Sequence, residues 1–532
     1  MFVESPDLIS EVGRVSDPKI DVASLLQRLA QGWTAEHTSE PAAALRLLAH
    51  HWEVEPNESW ISPNAAVANF PLNSIRLRNF GDLWVVLLGG ASFDSSELAS
   101  LKAKARGSSR QVMVLATSDE AYLRAEPVFP AHQEFLTLEP AHVAELLSAE
   151  CPLEYLKAVA RRRLSRYHLN PFGTLTVPGS NMFAGRRHEL QQLIHSQAES
   201  FAIAGPGRIG KSSLLQHFHL WLQRNDPARF RRSFLIDLYT CDATQEESIC
   251  RDIALPVNQN KRAFAATPDS LERFLRREAK ECGGPIELLL DEVDEVVDST
   301  TFNKLVEAAK NRHCRVILCG KHKLFEAMHT ENHVLRNRLT LMPLEPLKTA
   351  DLHGLFTAPL RDLGFEMRDE EKILEQVEAD TGGYPHLIQY YGRRLVDHAL
   401  KCDVNVINYQ LFSEVQNAYE TLQTFAGPVL DIKEPEEEMI ALNLLRSLRR
   451  PFTEDEVRKV AGQHQVEIDE KKAARICRRL YINNVFAWLP TLGRYQIANQ
   501  ALSRAATKLG FLAPRFVELD KLLTRRKAAG KA

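Results

Sequence analysis

Long apolar runs are missing from this chain: no stretch of about 18 uninterrupted apolar residues occurs, so no segment reads as a membrane-spanning helix. Paired cysteine spacing is missing too. The eight cysteines, Cys151, Cys241, Cys250, Cys282, Cys314, Cys319, Cys402 and Cys477, are scattered without a CxxC pair. That pattern argues against a disulfide framework or a zinc site and points to reduced, mostly buried thiols. Charge of one sign is lacking as well. With 66 basic and 69 acidic residues the formal net charge is −3, so no global field favours nucleic acid or a membrane surface. Met1 to Pro6 do not open a basic-then-apolar leader, and the expected location is cytoplasmic.

What is present is length and alternation. A chain of 532 residues exceeds one ordinary core, and size alone suggests about three or four domains. The fold class expected is α/β: a parallel sheet built round a phosphate loop, a helical lid, a C-terminal winged helix and a separate N-terminal α/β domain. The divisions expected are 1–169 for the N-terminal domain, 170–344 for the core, 345–432 for the lid, 433–512 for the winged helix and 513–532 for a basic tail.

In the first division, apolar strands are expected at Trp84 to Leu88, Gln111 to Ala116 and Phe135 to Leu138. Helices are expected at Ser95 to Ala105, Pro140 to Ser148 and Leu153 to Tyr167. Runs such as WVVLLGG suit a small parallel sheet covered on both faces. Asp82, Asp94, Asp119 and Glu120 fall near strand ends, where isolated carboxylates are usually solvated turn residues. The turn-forming stretch Asn170 to Asn181 marks a boundary.

Beyond it, strands at Phe201 to Ala204, Ser233 to Leu238, Ile286 to Leu290 and Arg315 to Leu318 alternate with helices long enough for crossovers, the layout of a parallel sheet. Helical patterns at Glu370 to Glu378 and Tyr384 to Leu400 suit a lid. Helices at Glu436 to Arg449, Thr453 to Ala461 and Asp469 to Tyr481, followed by a hairpin of Val485 to Leu489 and Arg494 to Ile497, describe a winged helix. The tail Lys521 to Ala532 reads as frayed.

The strongest chemical signal is Gly205-Pro206-Gly207-Arg208-Ile209-Gly210-Lys211-Ser212, between the apolar strand FAIA and an amphipathic helix that opens with Ser213. It matches GxxxxGK[ST]. Glycines let the backbone wrap phosphates with its N–H groups pointing inward, Lys211 supplies a point charge to the terminal phosphates, and Ser212 offers a hydroxyl to Mg²⁺. Eighty residues beyond Lys211, the strand IELLL ends in Asp291 and Glu292. An acidic turn after a strand is common by itself. Paired with the phosphate loop, it reads as a second box in which Asp291 holds Mg²⁺ and Glu292 polarises the attacking water. Asp294 and Glu295 read equally as solvated surface. Lys321 or His322 is a candidate sensor of the terminal phosphate, and Arg336 and Arg338 are candidate charge-stabilising arginines; each reads equally as a surface cation.

Phe183-Ala184-Gly185-Arg186-Arg187-His188-Glu189-Leu190 resembles the FxGRxxEL box of AAA+ and STAND-type signal-transduction ATPases. With the phosphate loop, LLLDEVD, Leu344-Glu345-Pro346-Leu347 and Thr381-Gly382-Gly383-Tyr384-Pro385-His386, residues 170 to 510 resemble a STAND-like AAA+ ATPase ending in a winged helix. The resemblance implies a nucleotide-controlled switch using ATP, ADP and Mg²⁺, with self-assembly or a protein partner. It implies that Phe183, Gly185 and Arg186 lie near adenine and ribose, and that Gly383 and Pro385 bring the lid against the nucleotide. Arg187 departs from the usual acidic residue of the box, which implies slow or partner-dependent hydrolysis.

The third helix of the winged helix carries Lys471, Lys472, Arg475, Arg478 and Arg479, which suit either duplex phosphates or a solvated face. Two other readings therefore stay open: a DNA-binding protein resembling origin-recognition initiators, and a nucleotide-binding scaffold with negligible turnover.

Overall fold

The computed structural model describes residues 3–4, 21–30, 39–56, 58–62, 65–89, 99, 102, 111–129, 135–173, 180–258, 265–430, 432, 434–447, 450–463, 466–483, 485–489, 492–508 and 512–529. The helix expected over Ser95 to Ala105, with Asp94 before it, falls outside them apart from residues 99 and 102, as does the middle of the expected linker, 174–179. Two compact units emerge, and both are discontinuous in sequence. One comprises Met1–Phe183, His353–Arg368 and Gly392–Asn408; the other comprises Ala184–Leu352, Asp369–Tyr391 and Tyr409–Ala532.

The first unit is built on a six-stranded sheet in chain order. The strands Leu83–Leu88, Gln111–Ala116 and Phe135–Leu138 pair in parallel, as their continuous apolar character leads one to expect. Glu58–Ser62 and Ala65–Phe70 extend the sheet in antiparallel fashion, so it is mixed rather than parallel throughout. The alanine-rich sequence of Ala65–Phe70 carries little strand signal, and burial rather than propensity makes it a strand. The inserted segment His353–Arg368 docks in this unit through Asp362, whose carboxylate accepts from the Arg76 amide at 2.8 Å and from Lys157 Nζ at 2.9 Å. Gly392 lies against the Phe172 ring, where a Cβ would collide.

The second unit holds a five-stranded parallel sheet ordered Thr340–Pro343, Phe201–Ala204, Cys314–Gly320, Ile286–Asp291, Ser233–Asp237. Thr340–Pro343 is too short and too exposed to signal itself in sequence. The first strand in sequence thus sits between the fourth and the fifth, a change of direction that opens a crevice at its C-terminal end. Ile286–Asp291 lies two strands away, with Leu290 and Ala202 both in register with Leu318. Strand order therefore brings the acidic turn to the edge where the phosphate loop begins.

In the same unit, helices Glu370–Thr381, Tyr409–Asn417 and Tyr419–Leu430 and the first turns of Pro385–Lys401 make the lid part. Pro435–Ser447, Glu454–Gln463 and Glu470–Ile482 with the hairpin Phe486–Leu489 and Arg494–Ile497 make the winged helix. Its core gathers Met439, Leu442, Phe452, Val457, Ile476, Leu480, Phe486 and Leu502. The tail expected to fray is instead helical over Leu512–Ala529. Phe516, Leu519 and Leu523 recur at helical spacing and join the winged-helix core, which outweighs the tail's charge.

Candidate functional site

The loop Gly205 to Gly210 links the strand Phe201–Ala204 to the helix Lys211–Asn225, whose N-cap is Gly210 at φ 102°. That φ lies in the left-handed region that favours glycine, so the turn which aims successive amides inward is written into the residue type. Arg208 is also left-handed, at φ 61°, a strained position for a side-chain-bearing residue. Its guanidinium meets His386 Nε2 at 2.8 Å. Burial, and after it the charge of Arg208, holds the His386 imidazole down at about 4.

Lys211 is 6% exposed at the first turn of its helix, and its Nζ donates to the Gly205 and Pro206 carbonyls at 2.9 and 2.8 Å. Burial lowers its pKa, and Lys321 adds to the effect, while Glu292 and Asp291 oppose it. A cation at a helix N-terminus stands against the local dipole field. Three unfavourable conditions, burial, dipole and a neighbouring cation, meet on one ammonium group.

The acidic turn supplies the opposite charge. Asp291 ends its strand half-buried, raised in pKa by burial first, with a hydrogen bond from Ser212 and the Glu292 amide pulling it down. That amide donates to Asp291 Oδ1 at 2.9 Å. Ser212 and Asp291, the two groups expected to hold Mg²⁺, are thus brought together. Glu292 is left-handed, at φ 53°, and its Oε2 pairs with Lys321 Nζ at 2.9 Å. The fully buried Cys319 thiol beneath is pushed well up by burial and then by Asp291, so it stands neutral.

Asp294 is a cap rather than surface. Its carboxylate accepts from the amides of Lys321, Lys323 (2.7 Å) and Leu324 (3.4 Å), the opening turn of helix His322–His329. Glu295 pairs with Lys323 at 2.6 Å. Of the two candidate sensors, Lys321 faces Glu292 whereas His322 pairs with Glu326 at 3.4 Å. Arg336 and Arg338 are exposed, and Arg336 reaches the His329 carbonyl at 3.5 Å.

Arg186 gathers the remaining segments. Left-handed at φ 62° and 9% exposed, it donates to the Ile209 carbonyl of the loop at 3.1 Å, to the Glu345 carbonyl and to Glu189 at 3.2 Å. A Cβ on Gly185 would stand 2.8 Å from the Leu347 side chain, and one on Gly383 would strike the Leu347 carbonyl. The Leu347 amide donates to the Gly383 carbonyl at 2.8 Å. Leu347 is therefore the meeting point of the Gly-Arg box and the Gly-Gly turn, whose following helix starts at the half-buried Pro385. Ser213 is half-buried in the loop helix; Phe183, half-buried, is the last residue of the first unit.

Sequence reasoning missed Leu347 as that meeting point, His386 as a neighbour of the loop, and Ile482. The Ile482 carbonyl, at the end of the third winged-helix helix, lies 3.4 Å from the Gly207 nitrogen and accepts from it. A main-chain carbonyl carries no sequence signal.

No curated protein matches the chain. Among solved structures it is similar to the Aeropyrum pernix ORC2 protein in ADPNP–ADP complexes, at 14% identity and TM-score 0.43, over 67% of this chain and 98% of that one. It is similar to the Aeropyrum pernix ORC1 protein in complex with DNA at 10% identity and TM-score 0.35, over 62% and 94%. The Thermotoga maritima RuvB Holliday junction branch migration motor is similar at 14% identity and TM-score 0.34, over 62% and 95%. The family described as Novel STAND NTPase 1 matches residues 169–507. That span exceeds half the chain, and the protein belongs to the family of novel STAND NTPases.

Proposed function

We propose that the protein binds ATP and ADP with Mg²⁺ and hydrolyses ATP, and that nucleotide state sets the arrangement of lid and winged helix and thereby the state of the N-terminal domain. The observation that carries this reading is Lys211: a buried ammonium at a helix N-terminus, satisfied only in part by two carbonyls, is stabilised by an anion placed in the loop. The donor set fits a nucleotide. Gly207 and Gly210 leave open space where other residues would project a Cβ, the room that a phosphate needs to approach main-chain amides.

Mg²⁺, when bound, neutralises phosphate charge as a Lewis acid. Ser212 and Asp291, already hydrogen-bonded to each other, are the residues that would hold it. Lys211 holds the charge of the terminal phosphate. Glu292, at the end of the same strand, positions and deprotonates water for in-line attack once Lys321 no longer holds it. Arg186 anchors the loop to the Glu345 segment, and the Gly383 turn meets that segment through Leu347. A change at the phosphates can therefore reach the lid through main-chain contacts.

Duplex recognition by the third winged-helix helix is disfavoured by its own pairing. Lys472 is held by Glu436 at 2.6 Å and Arg479 by Glu437 at 2.9 Å, so two of its five cations are already spent. The test is nucleotide binding and single-turnover hydrolysis by parent, Lys211→Ala and Glu292→Gln proteins. The reading is lost if the parent takes up neither ATP nor ADP in the presence of Mg²⁺.

A further inference from the structure

Three residues of the site carry a side chain on left-handed backbone: Arg186 at φ 62°, Arg208 at φ 61° and Glu292 at φ 53°. Glycine would relieve the strain at each position, so the side chain that is kept there has a use. Two of the three uses are visible. Arg186 is buried and donates to the Ile209 and Glu345 carbonyls and to Glu189. Glu292 accepts from Lys321 Nζ at 2.9 Å. Arg208 differs from both. It is exposed, and among the described residues its guanidinium is hydrogen-bonded to His386 Nε2 alone, at 2.8 Å, with no carboxylate paired to it.

His386 is a weak partner for a cation. Burial, and then the charge of Arg208 itself, keeps the imidazole neutral, so the bond lacks the strength that an anionic oxygen would give it. The surroundings are unfavourable as well. Arg208 precedes Gly210, the N-cap of the helix Lys211–Asn225, and His386 lies in the first turn of the helix Pro385–Lys401. The guanidinium therefore stands near the positive ends of two helices, where an anion is stabilised and a cation is not. Room to turn is present on either side, because a Cβ built on Gly207 or on Gly210 meets nothing within 4 Å. A guanidinium is also the group whose flat fork of donors matches phosphate oxygens two at a time, which the point charge of Lys211 does not. The arginines singled out from sequence for charge stabilisation are placed less well: Arg336 and Arg338 are exposed, and Arg336 turns to the His329 carbonyl.

We propose that Arg208 is a charge-stabilising catalytic residue which the loop supplies to its own site, its guanidinium exchanging His386 for phosphate oxygens as the terminal phosphoryl group is transferred. In that step the water oxygen forms a bond to the terminal phosphorus while the bond from that phosphorus to the bridging oxygen breaks. The bonding pair stays on the bridging oxygen, which leaves as part of ADP, and the water proton goes to Glu292. Arg208 makes and breaks no covalent bond; it donates to the oxygens on which negative charge gathers. The inference rests on the nucleotide reading above and adds to it the source of charge stabilisation within one chain.

The test uses the full chain in single-turnover ATP hydrolysis, and in equilibrium binding of fluorescent Mg-ADP with and without aluminium fluoride, a mimic of the phosphoryl group in transfer. Arg208→Gly removes the guanidinium where the backbone favours glycine, so the fold is expected to be kept. Hydrolysis is expected to slow by about 10³-fold, the lower end of what an arginine contributes to this chemistry. Mg-ADP binding should persist, because an exposed cation adds little to it, while the tighter capture of Mg-ADP that aluminium fluoride gives the parent should disappear. Free guanidinium ion, too dilute to unfold the chain, is expected to return part of the lost rate. His386→Ala separates the inference from a structural clamp between loop and lid, since releasing the guanidinium should speed hydrolysis. A rate loss in His386→Ala as large as that in Arg208→Gly overturns the inference. So does an Arg208→Gly protein that hydrolyses ATP and captures aluminium fluoride as the parent does. Both of those outcomes leave nucleotide binding intact and tell against Arg208 alone, whereas a parent that binds neither ATP nor ADP defeats the functional reading and the inference with it.

Discussion

Strand Ile286–Asp291 carries a carboxylate near each end, and the protein treats the two in opposite ways. At its start, Glu287 is 2% exposed and closed in by cations: Arg229 holds it with two bonds of 2.8 Å, and Arg315, its register partner on the next strand, adds a third. The two guanidinium groups also cap the Leu193 and Ile194 carbonyls at the end of the helix Arg187–His195, and the Glu199 carbonyl beyond it. At its end, Asp291 has a serine hydroxyl and one amide, and burial raises its pKa. A buried charge that serves the fold is fully partnered. Under the function proposed, the carboxylate that serves chemistry is left under-partnered, so that a ligand can complete it.

That contrast can be broken from either end. The largest effect belongs to the loop end: Glu292→Gln is expected to slow single-turnover hydrolysis by about 10²–10⁴-fold, the usual worth of a positioned base, with nucleotide binding retained. Lys211→Ala should instead abolish nucleotide binding. At the other end, Glu287→Ala strands two buried guanidinium groups and is expected to cost about 3–5 kcal/mol in denaturant unfolding. Asp291→Asn, on the same strand, should leave stability unchanged or slightly higher while hydrolysis is lost, because it removes a charge that burial disfavours. Equal destabilisation by both changes would erase the distinction.

His386 sharpens the contrast through pH. Its folded pKa, about 4, lies below the ordinary 6.5 because burial and then Arg208 disfavour the imidazolium. Between these values the unfolded chain binds more protons. Its stabilising contribution is therefore complete above pH 6.5 and fades as pH falls toward 4, by at most about 3 kcal/mol. His386→Gln should flatten that part of the stability profile. The smallest effect is expected for Asp294→Ala, which loses a helix cap worth about 1 kcal/mol and shows as a modest fall in Tm.

How much could be read beforehand follows from where the information resides. The loop Gly205 to Ser212 is contiguous, and its glycine, lysine and serine types are those that the proposed phosphate contact demands, so eight adjacent letters single it out. Strands Gln111–Ala116 and Phe135–Leu138 declared themselves through largely apolar runs. Ala65–Phe70 did not, because alanine carries little strand preference and only sheet packing recruits it. Glu287 left a faint trace as the single acid inside an apolar strand, yet Arg229 and Arg315 became its partners only through folding.

The sequence by itself determined the chemical types at the proposed nucleotide site and the run of helices and strands that presents them, since both depend on local spacing and on which residues tolerate which backbone. Tertiary structure alone decided what meets what. Asp294 caps a helix that starts 28 residues later, Arg186 reaches the Glu345 carbonyl, Asp380 finds Arg504, and Ile482 offers its carbonyl to Gly207. These contacts join segments far apart in the chain through backbone groups or lone side chains. Nothing in local residue order encodes such distances; only a packed core, which fixes them all at once, can do so.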